Sequence, residues 1–202
     1  MKSARYGIAI EGWPIVIALL ALAGLLVASS WPAAAVLPAA LLAIVIPQFR
    51  DPPRTVPADP LGVVSPVDGT VVDIDRGADG LRLMLRINTF SPYLLRSPTE
   101  GNVTRSGSGR DGHGMTIRTD EGEEVWLRLT GPRWLPPAAG VDYGERVGQG
   151  KRCGVLRGAR AVEIWLPANS ELLVQRGDRV RAGESVLGRF HRNGAEAAVH
   201  HA

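Results

Sequence analysis

GVLRGARAVEIWLP, residues 154–167, is the stretch that decides the fold. Val162 to Leu166 is a short apolar run closed by Pro167, and it reads as a buried strand. A tight corner, Gly158-Ala159-Arg160-Ala161, precedes it, and the glycine-rich run GERVGQGKRCG, residues 144–154, leads into that corner. A corner feeding a central strand needs other strands beside it. With 24 glycines and 15 prolines in 202 residues, the chain favours many short strands joined by turns over long helices.

Those other strands are readable on both sides. VVSPVDGTVVDI, residues 63–74, is two short strands around a Ser-Pro-Val-Asp-Gly turn, with Asp68-Gly69 supplying the backbone freedom. LRLMLRI, residues 81–87, alternates apolar and polar positions as a half-buried strand does. NTFSPYLLRSP follows at 88–98. EGNVTRSGSGRDGHG, residues 100–114, reads as a flexible Gly/Ser loop. Residues 115–117 and 124–129 form a predicted hairpin turning at 120–122, while 132–140 has no regular period. Residues 172–174 are a further predicted strand, and QRGDRVRAGESVL at 175–187 is a turn-plus-strand unit.

The chain begins differently. Residues 13–29 are continuously apolar, and after Trp31-Pro32 a second apolar run extends over 33–47. A spanning helix needs roughly 17 residues or more, so each run is marginal alone. Together, turning at 29–32, they are expected to form a transmembrane helical hairpin with Trp13 and Trp31 as interfacial anchors, the alternatives being a single long kinked span or a re-entrant hairpin. Lys2 and Arg5 precede it and Arg50 and Arg54 follow it, so both ends are expected on the cytoplasmic side. The expected organisation is a membrane anchor at 1–47, a proline-rich linker at 48–62, a β domain at 63–190 and a disordered tail at 191–202.

Composition excludes several classes. The net charge of +3 is small and its arginines are scattered, which argues against nucleic-acid binding. The single Cys153 excludes an intrachain disulfide and a multi-cysteine zinc site, and reads as a small core residue. No metal site is expected.

From about Glu11 to Phe190 the chain is similar to the short-form bacterial phosphatidylserine decarboxylases. The pieces that carry the resemblance occur in the family's order: EGWP at 11–14 with the apolar hairpin, FRDPPR at 49–54, SPVDG at 65–69, the Phe-Ser-Pro segment at 90–92, VEIWLP at 162–167, and QRGDRVRAGESVLGRF at 175–190. SPVDGTV and QRGDRVRAGESVL also resemble the two halves of the biotinyl/lipoyl carrier barrel. The resemblance therefore implies a mainly β, barrel-like hybrid domain built of such half-barrels behind the N-terminal hairpin. A working carrier would need a lysine at a hairpin tip, and Lys2 and Lys151 are the only lysines.

In that family a serine hydroxyl attacks the carbonyl of the preceding glycine, and the cleaved chain end becomes a pyruvoyl group. Its ketone condenses with the substrate amine and acts as the electron sink for decarboxylation. Here the glycine-led pair at the corner is Gly158-Ala159, and a gapless count back from VEIWLP sets Ala159-Arg160 opposite the family pair. Neither register offers a hydroxyl. The family histidine is expected near Tyr93 or Leu94, where no imidazole stands. The substrate-covering loop is shortened to residues 100–114, and Asp68 survives as the family's processing aspartate.

The expected catalytic set is thus a vestige of Gly158, Ala159 and Asp68, and the pyruvoyl cofactor is expected to be absent. Arg96, Arg157 and Arg160 are candidate contacts for a lipid headgroup, since guanidinium forks suit phosphate. The resemblance implies a protein of phospholipid metabolism at the bacterial inner membrane, its β domain facing the cytoplasm. The expected role is non-catalytic binding of phospholipid or of a partner, which includes another copy of the chain. Two alternatives stand beside it: an active decarboxylase making phosphatidylethanolamine by unrecognised chemistry, and a structural subunit of an active paralogue.

Overall fold

The computed structural model describes residues 7–8, 12–29, 31–77, 80–88, 90–109, 112–131, 138–156 and 158–191. The chain divides into two compact units. One comprises residues 1–53 with 89–93, and the other 54–88 with 94–202.

The first unit is helical. Strand β1 (Gly7–Ile8) pairs antiparallel with β2 (Arg50–Asp51), which closes the unit at its base. Helix α1 (Trp13–Ala28) carries proline in its first turn, where the missing N–H costs nothing. A 3-10 turn (Pro32–Ala35) leads into α2 (Val36–Gln48). Val16, Pro38 and Leu42 are buried, whereas Ile17, Leu20, Leu25, Val36, Leu37 and Ile44 are exposed. The Phe49 and Tyr93 rings meet edge to face with centroids 5.9 Å apart, and the Tyr93 N–H donates to the Gln48 carbonyl at 2.7 Å.

The two apolar runs do form helices, but the expected transmembrane hairpin needs correction. Helices of 16 and 13 residues reach roughly 24 and 20 Å at 1.5 Å per residue. The hydrocarbon core of a bilayer is about 30 Å thick. Among the described residues no helix is long and apolar enough to cross a membrane. The second run is shortened because its first turn winds as a 3-10 helix after Pro32.

The second unit is mainly β. In chain order its strands are β3 (Gly62–Val64), β4 (Gly69–Gly77), β5 (Gly80–Ile87), β6 (Leu94–Arg96), β7 (Gly101–Gly109), β8 (Gly112–Arg118) and β9 (Glu124–Thr130). They continue as β10 (Ala138–Ala139), β11 (Arg146–Val147), β12 (Arg152–Val155), β13 (Ala161–Leu166), β14 (Glu171–Leu172), β15 (Arg179–Val180) and β16 (Val186–Arg189). An eight-stranded sheet in the order β11-β7-β8-β9-β13-β5-β4-β15 curls as a half-barrel, with every pair antiparallel. Two three-stranded sheets, β10-β12-β6 and β14-β16-β3, complete the unit.

Alternation explains which face turns inward. On β13, Val162, Ile164 and Leu166 are buried beside Leu81, Leu83 and Leu85 of β5 and Leu127 and Leu129 of β9. Each such side chain, fully buried, contributes about 1.5–3 kcal/mol by its removal from water. Ala161, Glu163 and Trp165 take the opposite face, where Trp165 stacks on Trp126 with centroids 4.1 Å apart.

The Gly/Ser segment 100–114 is mostly ordered as strands: β7 and the start of β8 lie within it, paired from Asn102↔Arg118 to Gly109↔Gly112. Its small residues carry little strand propensity of their own, but β9 supplies the ladder that β8 completes. Gly114 is required there, because a Cβ would run into the Leu127 carbonyl of β9. The strand expected at 172–174 appears one residue earlier, as β14.

SPVDG joins β3 to β4, and Arg181 to Ser185 joins β15 to β16. β3 pairs with β16 and β4 with β15, so the two strand–corner–strand units lock antiparallel. At the crossing, the Ser65 N–H donates to the Ser185 carbonyl and the Gly183 N–H to the Ser65 carbonyl, both at 2.8 Å.

Candidate functional site

The corner before β13 is a closed turn. The Ala159 N–H donates to the Leu156 carbonyl three residues back at 2.5 Å, and Gly158 holds φ +64 in the turn's third position. That conformation is why glycine stands there. Ala159 is buried and Arg160 is exposed. Gly131 makes the burial possible: a Cβ on it would lie 3.1 Å from the Ala159 Cα and 3.2 Å from the Gly158 carbonyl oxygen.

Backbone bonds fasten the corner to one end of the sheet. The Arg160 N–H donates to the Thr130 carbonyl at 2.8 Å, and the Arg160 carbonyl accepts from the Ile87 N–H at 3.0 Å. The next residue, Asn88, donates its N–H to the Asp68 carbonyl at 3.2 Å. The SPVDG turn and the Gly158 corner therefore flank the same end of β5. Leu94 joins them: it is buried on β6 opposite Val155 of β12, the strand that runs into the corner.

Asp68 is firmly engaged. One carboxylate oxygen accepts from Arg54 Nη2 at 2.7 Å, and the other accepts from the Ala182 N–H at 2.7 Å. Arg54 is itself nearly buried, with 11% of its side chain exposed, and its second terminal nitrogen lies 3.7 Å from Glu184. One carboxylate thus ties three segments together: the residue opening this unit, the SPVDG turn and the corner between β15 and β16. Arg54 was not singled out from the sequence as a site residue. The only signal was its place at the end of FRDPPR.

Of the remaining candidates, Arg96 lies beside the SPVDG turn, where its N–H donates to the Pro66 carbonyl at 3.0 Å. Arg96 is half-buried and donates from Nη1 to the Gly150 carbonyl at 2.9 Å. Beside it, burial pushes the Cys153 thiol up to about 12, with the Arg96 charge opposing the rise. Cys153 Sγ donates to the Leu95 carbonyl at 3.6 Å, so it is a core thiol. Tyr93 lies in the helical unit against Phe49. Arg157 and the tail 192–202 lie outside the described residues.

The structure thus brings Asp68, Leu94, Gly158, Ala159 and Arg160 to one end of the β unit. Within the corner no side chain carries oxygen or sulfur. The hydroxyl-bearing residue across the ladder is Thr130, opposite Ala161.

No protein-family model matches the chain. Among curated proteins, it is 35% identical to the phosphatidylserine decarboxylase proenzyme of Symbiobacterium thermophilum, over 91% of this chain and 95% of that one. It is 31% identical to the protein of the same name from Nitrosomonas europaea, again over 91% and 95%. Among solved structures, glucose permease IIA from Mycoplasma capricolum superposes with a TM-score of 0.48 and 16% identity, over 63% of this chain and 94% of that one.

Proposed function

Because this chain belongs to the phosphatidylserine decarboxylase family, we propose that it is a membrane-attached protein of phospholipid metabolism that binds lipid or a partner without catalysing decarboxylation. The observation that carries this reading is the corner before β13. Serine chemistry there would need a side-chain hydroxyl on the residue after the carbonyl that it attacks. Ala159 offers a methyl group, and Arg160 offers a guanidinium on the exposed side. These residues do not fit a pyruvoyl precursor. Asp68, engaged by Arg54 and Ala182, then acts as a tie between turns rather than as a proton carrier. Leu94 and Tyr93 supply no imidazole.

The interlocked SPVDG and Arg181–Ser185 corners are consistent with biotinyl/lipoyl-type half-barrels. Membrane attachment is assigned to α1 and α2. Their apolar side chains are exposed on several sides, which is the arrangement of a helix bathed in lipid. We place the anchor at the cytoplasmic face of the bacterial inner membrane, following the positive flanks Arg50 and Arg54. Arg96 and Arg160 remain headgroup candidates; Arg160 is the more available, since Arg96 already serves Gly150.

Intact mass of the purified full chain tests the reading. A single species of 21.6 kDa is expected, with no carbon dioxide released from phosphatidylserine. A short C-terminal fragment starting near residue 159 with a blocked end would overturn it.

A further inference from the structure

The outer face of the half-barrel carries a row of residues that runs across the sheet from β15 and reaches the Gly158 corner at Ala161 and Thr130. Register aligns Arg179 of β15, Thr70 of β4, Arg86 of β5, Ala161 of β13 and Thr130 of β9 directly across five adjacent strands. Directly paired residues in antiparallel strands share a face. The neighbours of this row on either side, Val71, Leu85, Ile87, Val162, Leu129 and Val180, are buried, so the row itself faces outward. Arg86, Arg179 and Thr130 are exposed, and Thr70 and Ala161 are half-buried.

Neighbouring strands lie about 4.8 Å apart, so Arg86 and Arg179 stand roughly 10 Å apart with Thr70 midway. Two guanidiniums thus flank a small hydroxyl side chain, and Ala161 leaves a second gap beyond Arg86. The acids nearby are committed elsewhere. Asp73 and Asp75 bracket Arg82 at 3.6 and 3.5 Å, Glu163 lies 3.9 Å from Arg128, and Asp178 caps the Gln175 N–H at 2.8 Å. Among the described residues, neither Arg86 nor Arg179 has an acidic partner.

We propose that Arg86, Thr70 and Arg179 form a phosphate-binding cradle on the outer sheet face, taking a phosphate group either free or on a lipid headgroup. Two planar forks converging from either side match the oxygens of a tetrahedral anion, and Thr70 supplies a hydroxyl donor beneath it. The anion relieves the repulsion between two exposed like charges. This inference rests on register and exposure, and it holds whether or not the corner is catalytic.

The test uses the full chain in detergent for inorganic phosphate, and reconstituted chain with phosphatidylcholine vesicles doped with phosphatidylserine for the lipid. Arg86→Gln and Arg179→Gln are each expected to weaken binding about tenfold. Arg118→Gln, which removes an exposed arginine lying 4.0 Å from Glu124, is the charge-matched control and should leave binding unchanged. Arg86→Lys should recover only part of the affinity, because it keeps the charge and loses the fork. Weakening in the phosphate arm alone identifies free phosphate, and weakening in the vesicle arm identifies a headgroup. Equal weakening by Arg118→Gln, full recovery by Arg86→Lys, or no binding in either arm would overturn the cradle.

Discussion

Asp68 shows how one side chain can tie a domain together. Its two oxygens take a guanidinium and a backbone N–H from segments 14 and 114 residues away. Asp68→Ala is expected to lower stability by about 2 kcal/mol, because it strands a nearly buried arginine. Arg54→Ala should cost a similar amount, and in urea unfolding the double variant should cost less than the two added together. Cys153 makes the pH prediction. Its thiol pKa is pushed up to about 12 in the folded chain from an ordinary value near 9.0. Between those values the unfolded chain has lost the proton that the folded chain keeps, so stability falls as pH rises from about 9 towards 12. Cys153→Ala should flatten that decline, and a thiol reagent at pH 8 should label wild type only after unfolding. None of these pairings was legible in the sequence. Cys153 could be recognised as a core residue, but Arg54 and Asp68 were a linker cation and a turn acid with nothing to connect them.

At the scale of elements, β13 is the keystone. It lies between β5 and β9, with three apolar side chains inward and Glu163 and Trp165 outward. Ile164→Ala should cost about 2–5 kcal/mol by leaving a cavity in a fully buried position. Arg160→Ala, four residues earlier and exposed, should change stability by less than about 0.5 kcal/mol. Thermal unfolding of the pair separates core from corner. The apolar run of β13 was readable because its length and its boundaries are local properties. The segment 100–114 departs from the expected loop for the same reason: glycine and serine carry no periodic signal, and only the pairing with β9 through β8 makes it a sheet. The helices were readable as apolar runs, while their lengths depended on where the turn after Pro32 tightened.

At the scale of the whole molecule, an apolar helical unit accompanies a β unit whose corners interlock through the β3–β16 and β4–β15 pairings. If α1 and α2 lie in lipid, Leu25→Lys combined with Ile44→Lys should move the chain from the membrane fraction to the soluble one after fractionation, since each charge in hydrocarbon costs about 2.5–3.5 kcal/mol. Retention of that double variant in the membrane would reassign attachment to the β unit. The sequence by itself determined the two apolar helices, the alternation of the strands and the lack of a hydroxyl at the Gly158 corner. Each of these depends only on residues close together in the chain. The tertiary structure alone decided that β13 sits between β5 and β9, that Asp68 joins Arg54 to Ala182, and that Arg86 and Arg179 face one threonine. Backbone donors and acceptors are the same in every strand, so nothing local names a partner. Partner and register are selected when whole faces are buried together.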